Sequence, residues 1–586
     1  MNASDPAAEV REALHRTLSW QLSLRDADGR IVCPEHRVEH TGKSACTAIT
    51  AAELWRAERT PELLAAAVQQ GRRLVANLER EGTSPCHTFR PGRHDPYNCS
   101  NSVIDGGAAS DSLAHLVTSF GDELDAADRE AFAAASLLHA RTYLRYAVLD
   151  KGIPAQRAWG LTGLAGAAAL EDDETLERAI AEAVGILEGI QGADGSYPYH
   201  PLSWGAEHPG AGDVSSFYQS RVTAFLIYAL ERTGRDPTAD TFRAPLIRGL
   251  DFLCALQGPD GIKAGLVEAK PWYWGAPYEV ASHPFDVFAL ASGWRLFGAP
   301  RYAHAAAAAF RAWARHLSPA GAPQSHLPGP GRGRSYQCPV FWAAHACWIA
   351  RAAGDLAGCL ALPTPERGAG QGIDLSITWL PDAQLGRIED DAVVAWVRGA
   401  RPASNVHHGS PHGAGLVRVV RRSDGVDLLP RCRLGGANEG EWRGRSGLPS
   451  PLRGWRAGRR EVRFSLWLSR VHRRAGRGRE ALAAPLSTFR RGVLAFAHPR
   501  VSSAFELAPG VKLLPDGLQL AGALCHRGGA PADGSRVERV FRVDGTGLEV
   551  EERLISAGRA RGIGYAVPAA AVEVRRDASR ISYRLC

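Results

Sequence analysis

No run of eighteen or more apolar residues occurs in this 586-residue chain, so no membrane-spanning helix is expected. The N-terminus, MNASDPAAEVREALHRTLSW, has early acids and no apolar h-region. It does not read as a signal peptide, and the cytoplasm is the default compartment. The eleven cysteines form no CxxC pair, their count is odd and their spacing irregular. Reduced thiols are expected rather than a disulfide framework, and a zinc ribbon has no ligand set. No RNP-type sequence or zinc finger appears, so nucleic acid is not an expected partner.

What is present is ordinary for a globular protein. Hydrophobic residues make up 45% and charged residues 22%. The length exceeds a single ordinary domain. The formal charge is +7 and the sequence pI about 8.9, with arginines concentrated in the second half, as in RVVRR and RGWRAGRREVR. Such a surface suits a polyanion, and a solvated basic face explains it equally well.

The first half alternates amphipathic helical stretches with Gly-rich breaks. Twelve helices are expected, at roughly 7–25, 43–58, 61–80, 105–121, 124–147, 157–171, 173–190, 213–233, 241–256, 281–297, 299–317 and 338–354. Alternate helices end alike, in LRDADGRI, LEREGTSP, VLDKGIPA, IQGADGSYPY, LQGPDGIKAG and LSPAGAPQ. Glycine suits such C-terminal caps because it tolerates positive φ. Gly29, Gly82, Gly152, Gly195, Gly261 and Gly321 mark a degenerate repeat of helical hairpins. Six hairpins can close into a toroid, with the Ala- and Gly-rich helices, such as WGLTGLAGAAAL, lining the centre.

Each extended segment precedes an inner helix, so these segments gather on one face. They hold HDPYNCSN, YPYHPLSWGAEH, KPWYWGAPYEVASH and GRSYQCP. Trp and Tyr placed there present an apolar face and a polar tip to a sugar ring, although packing of the loops onto the ring would use them too. Near residue 360 the pattern changes. LPTPERGAGQG is a Pro/Gly linker, and after it come period-two stretches such as DLSITWL, DAVVAWVRGA, GLVRVVRR, EVRFSLWLS, GVLAFAHP, VERVFRVDG and GLEVEERLI. The expected organisation is multidomain α+β: an (α/α)6 toroid over 1–360, a linker at 361–372 and an antiparallel β-sandwich over 373–586. The polar segment 473–485 reads as a loop.

This order resembles the heparinase II/III-like polysaccharide lyases over nearly the whole chain, with motif likeness at two places. DVSSFYQSRVTAFLIYAL (213–230) is similar to the family's inner-helix start, where a Ser-rich N-terminus precedes a Tyr-His pair. Tyr218 matches the tyrosine, and Gln219 stands where the histidine would be. WLPDAQLGRIEDDAVVAWVRGARPASNVHHGSPHGAGLVRV (379–419) is similar to the family's first β strands, which end at a His-rich segment. Here the histidines are His407, His408 and His412, and the family's aspartate is missing. The family's Asn-His pair one repeat before the tyrosine is replaced by Gln156 and Arg157.

The resemblance implies β-elimination on a uronate-containing glycan. A base removes the C5 proton, the C4 oxygen leaves, and donors must neutralise the carboxylate as charge builds. Tyr218 is expected as acid, or acid and base, with Arg221 three residues on and so on the same helix face. His408 and His412 are expected as base or carboxylate partner. Gln156 and Arg157 are expected at the substrate carboxylate. Asn98, Asn101, Trp159, Trp272, Trp274, Tyr278, His283, Tyr336 and His407 complete the expected substrate subsites. No cofactor is expected, although three close histidines also suit a structural divalent metal in the β half. The expected partner is an acidic polysaccharide or oligosaccharide.

Other classes fit the same residues. A glycoside hydrolase would need two carboxylates about 5–9.5 Å apart, and Glu207, Asp213, Glu268, Glu279 and Asp286 lie on the expected face. A non-catalytic sugar-binding protein would explain the missing Asn-His pair. A terpene-cyclase-like toroid would explain IQGADGSYPY, but no DxDD supplies its acid.

Overall fold

The computed structural model describes residues 5–34, 39, 41–78, 100–150, 152–200, 212–264, 280–323, 339–363, 376–400, 414–429, 439–446, 500–526, 529–532 and 534–586, with isolated positions between 466 and 486. Among the described residues, the helical half runs to Ala361 and the first strand begins at Ser376.

The helices fall into two kinds. In α8 (Glu174–Ile190) the buried residues are Leu176, Ala179, Ile180, Ala183, Val184 and Leu187. That is one stripe at helical spacing, so the other face meets solvent. Asp173 caps its start, accepting from the backbone N–H of Thr175 (2.9 Å) and Leu176 (3.3 Å). In α9 (Ser216–Arg232) every residue from Ser216 to Leu230 is buried except Tyr218. A helix buried all round lies inside the molecule.

The same contrast sorts the rest. The outer set is α1 (Pro6–Ser23), α3 (Pro61–Ala76), α5 (Ala126–His139), α8, α10 (Asp240–Leu256) and α12 (Pro300–Arg315). A π-helical turn at Ala140–Leu144 carries α5 into α6 (Arg145–Asp150). The inner set is α2 (Thr41–Glu58), α4 (Ser100–Phe120), α7 (Pro154–Ala168), α9, α11 (His283–Phe297) and a broken pair, α13 (Pro339–Ala344) and α14 (Ala346–Arg351). A further helix, α15 (Ala353–Ala361), packs on α1 and α12. Inner helices touch in cyclic order: α2 meets α4, then α7, α9, α11 and α14 follow, and α14 returns to α2.

The repeat has one physical device. In four turns, at Asp26–Gly29, Gly192–Gly195, Gly258–Gly261 and Ser318–Gly321, the first residue's N–H donates to the carbonyl four residues on, and the glycine's N–H donates back to the first residue's carbonyl. Each glycine has φ between +78° and +85°, a region open to glycine at little cost. Each also lies against the next outer helix. A Cβ on Gly195 would overlap the Arg248 carbonyl of α10, and one on Gly261 the Ala308 carbonyl of α12. Gly321 meets the Arg16 carbonyl of α1, which joins the last hairpin to the first.

The described strands form three antiparallel sheets. The first orders β1 (Ser376–Leu380), β2 (Leu385–Glu389), β3 (Val393–Arg398) and β4 (Gly415–Arg421). The second orders β13 (Val572–Arg576), β14 (Arg580–Leu585), β11 (Leu548–Ala557), β10 (Ser535–Val543), β8 (Gly517–Gly522) and β7 (Gly510–Leu514). The third orders β12 (Ala560–Ala566), β5 (Glu441–Ser446), β6 (Arg500–Ser502) and β9 (Cys525–His526). Residues of all three sheets share one apolar core. The stretch 461–469, expected as a strand, and the segment expected as a loop at 473–485 are helical at their described positions, including Leu466, Ser469, Arg473 and Ala481. A short alternating run does not by itself separate strand from helix.

The first sheet is buried on both faces. Val393, Ala395 and Val397 of β3 enter the β core, while Val394 and Trp396 pack with Val214, Phe252, Leu256 and Ala264 of the helical half. Polar contacts fix the docking. Arg387 donates to the carbonyls of Cys254 (2.9 Å), Ala255 (3.3 Å) and Gln257 (3.4 Å), capping the C-terminal end of α10. The Asp194 carboxylate accepts from the N–H groups of Asp382 and Ala383, both at 2.9 Å. Arg418 donates to the Ile262 carbonyl (2.6 Å) and pairs with Asp260. These are outer-helix ends and hairpin turns, so the β half docks at the end of the ring where the inner helices begin. No described helix is long and apolar enough to cross a membrane.

Candidate functional site

At that end, one side chain from the beginning of each inner helix converges on the ring centre. They are Lys43 (α2), Asp105 (α4), Trp159 (α7), Arg221 (α9), Phe285 (α11) and His345, just before α14. All six are buried. Trp159 is the hub. The Lys43 ammonium lies 4.7 Å from its ring centroid and the Arg221 guanidinium 5.5 Å. Its ring lies 6.0 Å from Phe285, 6.1 Å from His345 and 5.2 Å from Phe225 deeper on α9. Arg221 is held by a 2.7 Å bond to the Phe217 carbonyl and lies over the rings of Phe217 (3.8 Å), Phe285 (4.6 Å) and Tyr218 (5.3 Å). Cations over ring faces are attracted by the ring quadrupole, more strongly when desolvated.

Electrostatics distinguish the members. Burial pushes the Asp105 carboxyl up to about 6, against the pull of the Lys43 charge and the Gly42 N–H. The close approach of α2 that permits this depends on glycine, because a Cβ at Gly42 would overlap the Asp105 carboxylate. Burial holds the His345 imidazole well below its usual range, and the Lys43 and Arg221 charges add to the effect. His345 is therefore neutral, with Nδ1 3.0 Å from the Ala281 carbonyl. The centre thus combines two cations, one carboxyl that burial pushes up to about 6, and an aromatic floor. Strongly shifted groups of this kind cluster at functional sites.

Two ion-pair clusters brace the ring. The ammonium of the buried Lys263 donates to Ser282 Oγ (2.8 Å), the Ser216 carbonyl (3.1 Å) and Ser220 Oγ, and pairs with Asp286 at 2.8 Å. It joins α9 to α11. Deeper in the ring, Arg351 pairs with Asp111 at 2.8 Å, and the Tyr228 hydroxyl donates to the same carboxylate. Buried charges persist only when paired and hydrogen-bonded.

Tyr218 stands half-buried in the first turn of α9 beside Tyr199, with ring centroids 5.2 Å apart. Ser215 caps the helix, its Oγ accepting from the Tyr218 N–H at 3.4 Å. Asp213, just upstream, pairs with Arg398, the last residue of β3. The return strand is anchored as well: Arg539 donates to the Ala414 carbonyl at 2.8 Å, and the Ala414 N–H donates to the Glu506 carbonyl at 2.7 Å.

Among the expected site residues, the structure brings Tyr218, Arg221 and Trp159 together. Gln156 is half-buried in the first turn of α7, and Asn101 lies in the first turn of α4. Two expectations need correction. Arg157 donates to the Val148 carbonyl of α6, and burial lowers its pKa to about 10. Its guanidinium thus reaches the outer layer, because residues 157 and 160 share the helix face that meets α6. His283 is fully buried with Nδ1 3.3 Å from the Ala309 carbonyl of α12, in the seam between inner and outer helices and not at a sugar subsite. Asn98, Trp272, Trp274, Tyr278, Tyr336, His407, His408 and His412 lie outside the described residues, as do Glu207, Glu268 and Glu279. Sequence reasoning missed Lys43, Asp105, Phe285 and His345. For three of them the available signal was a lone charged or titratable residue in an otherwise small and apolar inner helix, as in TGKSAC, VIDGGAA and WAAHACW. Among the described residues, no group of three or more His, Cys, Asp or Glu side chains is placed to hold a metal ion.

No protein-family model matches the chain, and no curated protein is significantly similar to it. Among solved structures it is similar to a sugar epimerase from a ruminal bacterium, at 10% identity and TM-score 0.44 over 59% of this chain and 98% of that one. It is similar to cellobiose 2-epimerase from Spirochaeta thermophila, at 15% identity and TM-score 0.43 over 60% and 99%. It is also similar to a glycosyl hydrolase family 88 protein from Bacteroides vulgatus, at 13% identity and TM-score 0.42 over 59% and 99%. Similarity at this level identifies neither a family nor an activity for this chain.

Proposed function

We propose that the chain is a carbon–oxygen lyase that cleaves a uronate-containing glycan by β-elimination, on an (α/α)6 toroid closed at one end by a β-sandwich. The observation that carries this reading is the Arg398–Asp213 pair. It ties the end of β3, from which the histidine-bearing segment 401–413 departs, to the start of the helix that carries Tyr218. In this reading Tyr218 protonates the leaving C4 oxygen, and Arg221 lies close enough to bias its proton. A histidine of 401–413 removes the C5 proton. Trp159 offers an aromatic face for the sugar.

The test is a panel of uronate polymers and oligomers followed by the ultraviolet absorbance of a new double bond. Wild-type protein should produce it on at least one member. Tyr218→Phe should lower kcat by about 10²–10⁴-fold with glycan binding retained. Folded protein that produces no absorbance on any member refutes the reading. Hydrolysis is favoured by one observation, the Asp105 acid near pKa 6. However, two of the carboxylates offered for a hydrolase, Asp213 and Asp286, are tied to Arg398 and Lys263. Reducing sugar released without the absorbance would establish hydrolysis.

A further inference from the structure

We propose that Cys46 and Cys347 are a site of oxidative modification, where hydrogen peroxide converts two thiols into a disulfide that locks the ring at its seam. Five of the contacts between neighbouring inner helices join hairpins that follow one another in the chain. The contact of α14 with α2 joins the last hairpin to the first and has no short connection behind it. Cys46 lies on α2 and Cys347 on α14. Both are thiols in this structure, buried in the same apolar core. The Cys347 thiol is hydrogen-bonded to the Cys46 sulfur across the seam. Sulfurs in such contact reach bonding distance, about 2.05 Å, through side-chain rotation and a small helix shift.

The two sulfurs are unequal, which gives each a role. The bond from Cys347 holds the Cys46 thiol below its ordinary range against the effect of burial, and the charges of Lys43 and Arg351 pull the same way. Burial and the bond to Cys46 push the Cys347 thiol well above that range. Burial also pushes the Cys254 and Cys359 thiols up to about 12 and raises that of Cys525. The thiolate is the nucleophile, so Cys46 is the sulfur that reacts with peroxide first. It attacks one peroxide oxygen and the O–O bond breaks. Cys46 becomes a sulfenic acid, and the hydroxide released takes up the Cys46 proton as water. The Cys347 sulfur then attacks the Cys46 sulfur. The S–S bond forms, the S–O bond breaks, and the leaving hydroxide takes the Cys347 proton as a second water. Two thiols give up two electrons, and one peroxide accepts them.

Peroxide meets a buried sulfur when the seam opens locally. The last inner element gives way most readily. It is two six-residue helices broken at His345, whereas the other inner helices have 15 to 21 residues. Short helices hold few internal hydrogen bonds and depend on packing for their stability. Cys46 is oxidised while the seam is open, and reclosing returns Cys347 to it. Connectivity then sets the effect. The cross-link encloses about 300 residues, so it restricts the unfolded chain more than a link between consecutive hairpins would. The site needs no ligand inside the ring and does not depend on the elimination reading.

The experiment treats full-length protein, reduced and freed of reductant, with hydrogen peroxide. Remaining thiols are blocked with iodoacetamide, and the protein is mapped by mass spectrometry without reduction. The expected product is a peptide pair joined through Cys46 and Cys347, lighter by two hydrogens than its thiol forms. By calorimetry the oxidised protein should melt about 4–8 °C above the reduced protein, and dithiothreitol should abolish the rise. Cys347→Ala should lose both the linked peptide and the rise. If that variant does not fold, the wild-type map and melting decide alone. Peroxide that leaves both cysteines as thiols, a disulfide from either one to a different cysteine, or a linked protein that melts no higher than the reduced one each overturns the proposal. So does a rise of equal size in folded Cys347→Ala.

Discussion

Breaking the Arg398–Asp213 pair should cost far more than an ordinary surface ion pair, and the structure sets the size. The two side chains are 3% and 1% exposed. Arg398 also donates to the Ala400 carbonyl at 3.1 Å, and the Asp213 carboxylate also accepts from the Val214 N–H at 2.9 Å. Neither partner can move to water without unpacking β3 from the start of α9. Arg398→Met leaves a buried carboxylate without its cation, and the expected loss is about 3–5 kcal/mol. Asp213→Asn leaves a buried guanidinium, at a comparable cost. The double variant removes both charges and should lose much less than the sum, with a coupling of roughly 2–3 kcal/mol. Equilibrium unfolding in guanidinium chloride measures all four corners, with the slope checked for constancy so that the midpoint reports stability. A single-variant loss below about 1 kcal/mol is what an exposed pair gives. That result, or strict additivity, would refute the claim that this pair couples the two halves.

Ring closure gives a second expectation. Gly321→Ala must place a Cβ into the Arg16 carbonyl at φ +81°, whereas Gly298→Ala, at φ +68°, meets nothing within 4 Å. Thermal unfolding should show a loss of about 1 kcal/mol for Gly298→Ala and at least threefold more for Gly321→Ala; equal losses would deny that the last hairpin packs on the first helix. Asp105 makes stability depend on pH. Its folded pKa, about 6, lies above the unfolded value, so the native state holds the extra proton and loses stability as pH rises from about 4 to 6, by roughly 3 kcal/mol. Asp105→Asn should flatten that part of the curve in denaturant titrations at several pH values, and an unchanged slope would place the titration elsewhere.

Much of the fold is legible because burial leaves two different periods. The stripe of α8 and the all-round burial of α9 separate outer from inner helices directly in the sequence. The DADG, GADG, GPDG and SPAG turns are legible because positive φ beside a neighbouring backbone admits little but glycine. The two-faced burial of β3 is also present in the sequence, as the unbroken apolar run VVAWV. The site was less legible. Helical spacing places Tyr218 and Arg221 on one face, but it cannot say whether a polar residue in a wholly buried helix points to the ring centre or to the outer layer. Arg157 and Trp159 are two residues apart and take opposite answers. Lys43 and Asp105 become a pair only when α2 and α4 meet, which is a fact of closure and not of local pattern.

The departure at Gln219 shows how structure can claim a position that chemistry holds elsewhere. Its side-chain oxygen accepts from the Tyr197 N–H at 2.8 Å, and its nitrogen donates to the Gly195 carbonyl at 2.9 Å. One planar amide thus closes two backbone groups of the turn that precedes α9. The residue is 1% exposed and its amide is committed to that turn. Gln219→His would restore the Tyr-His pair that the resemblance leads one to expect, yet the two imidazole nitrogens point in widely divergent directions from the ring and cannot meet both backbone groups side by side as the amide oxygen and nitrogen do. At least one of the two buried backbone groups would lose its partner, at about 1–3 kcal/mol. The expected outcome is a destabilised protein, seen in denaturant unfolding, with no gain in turnover on any substrate the wild type accepts. A variant that remained as stable and turned over faster would show that position 219 faces the reacting sugar, and the base would then have to be sought on α9 and not in the segment after β3.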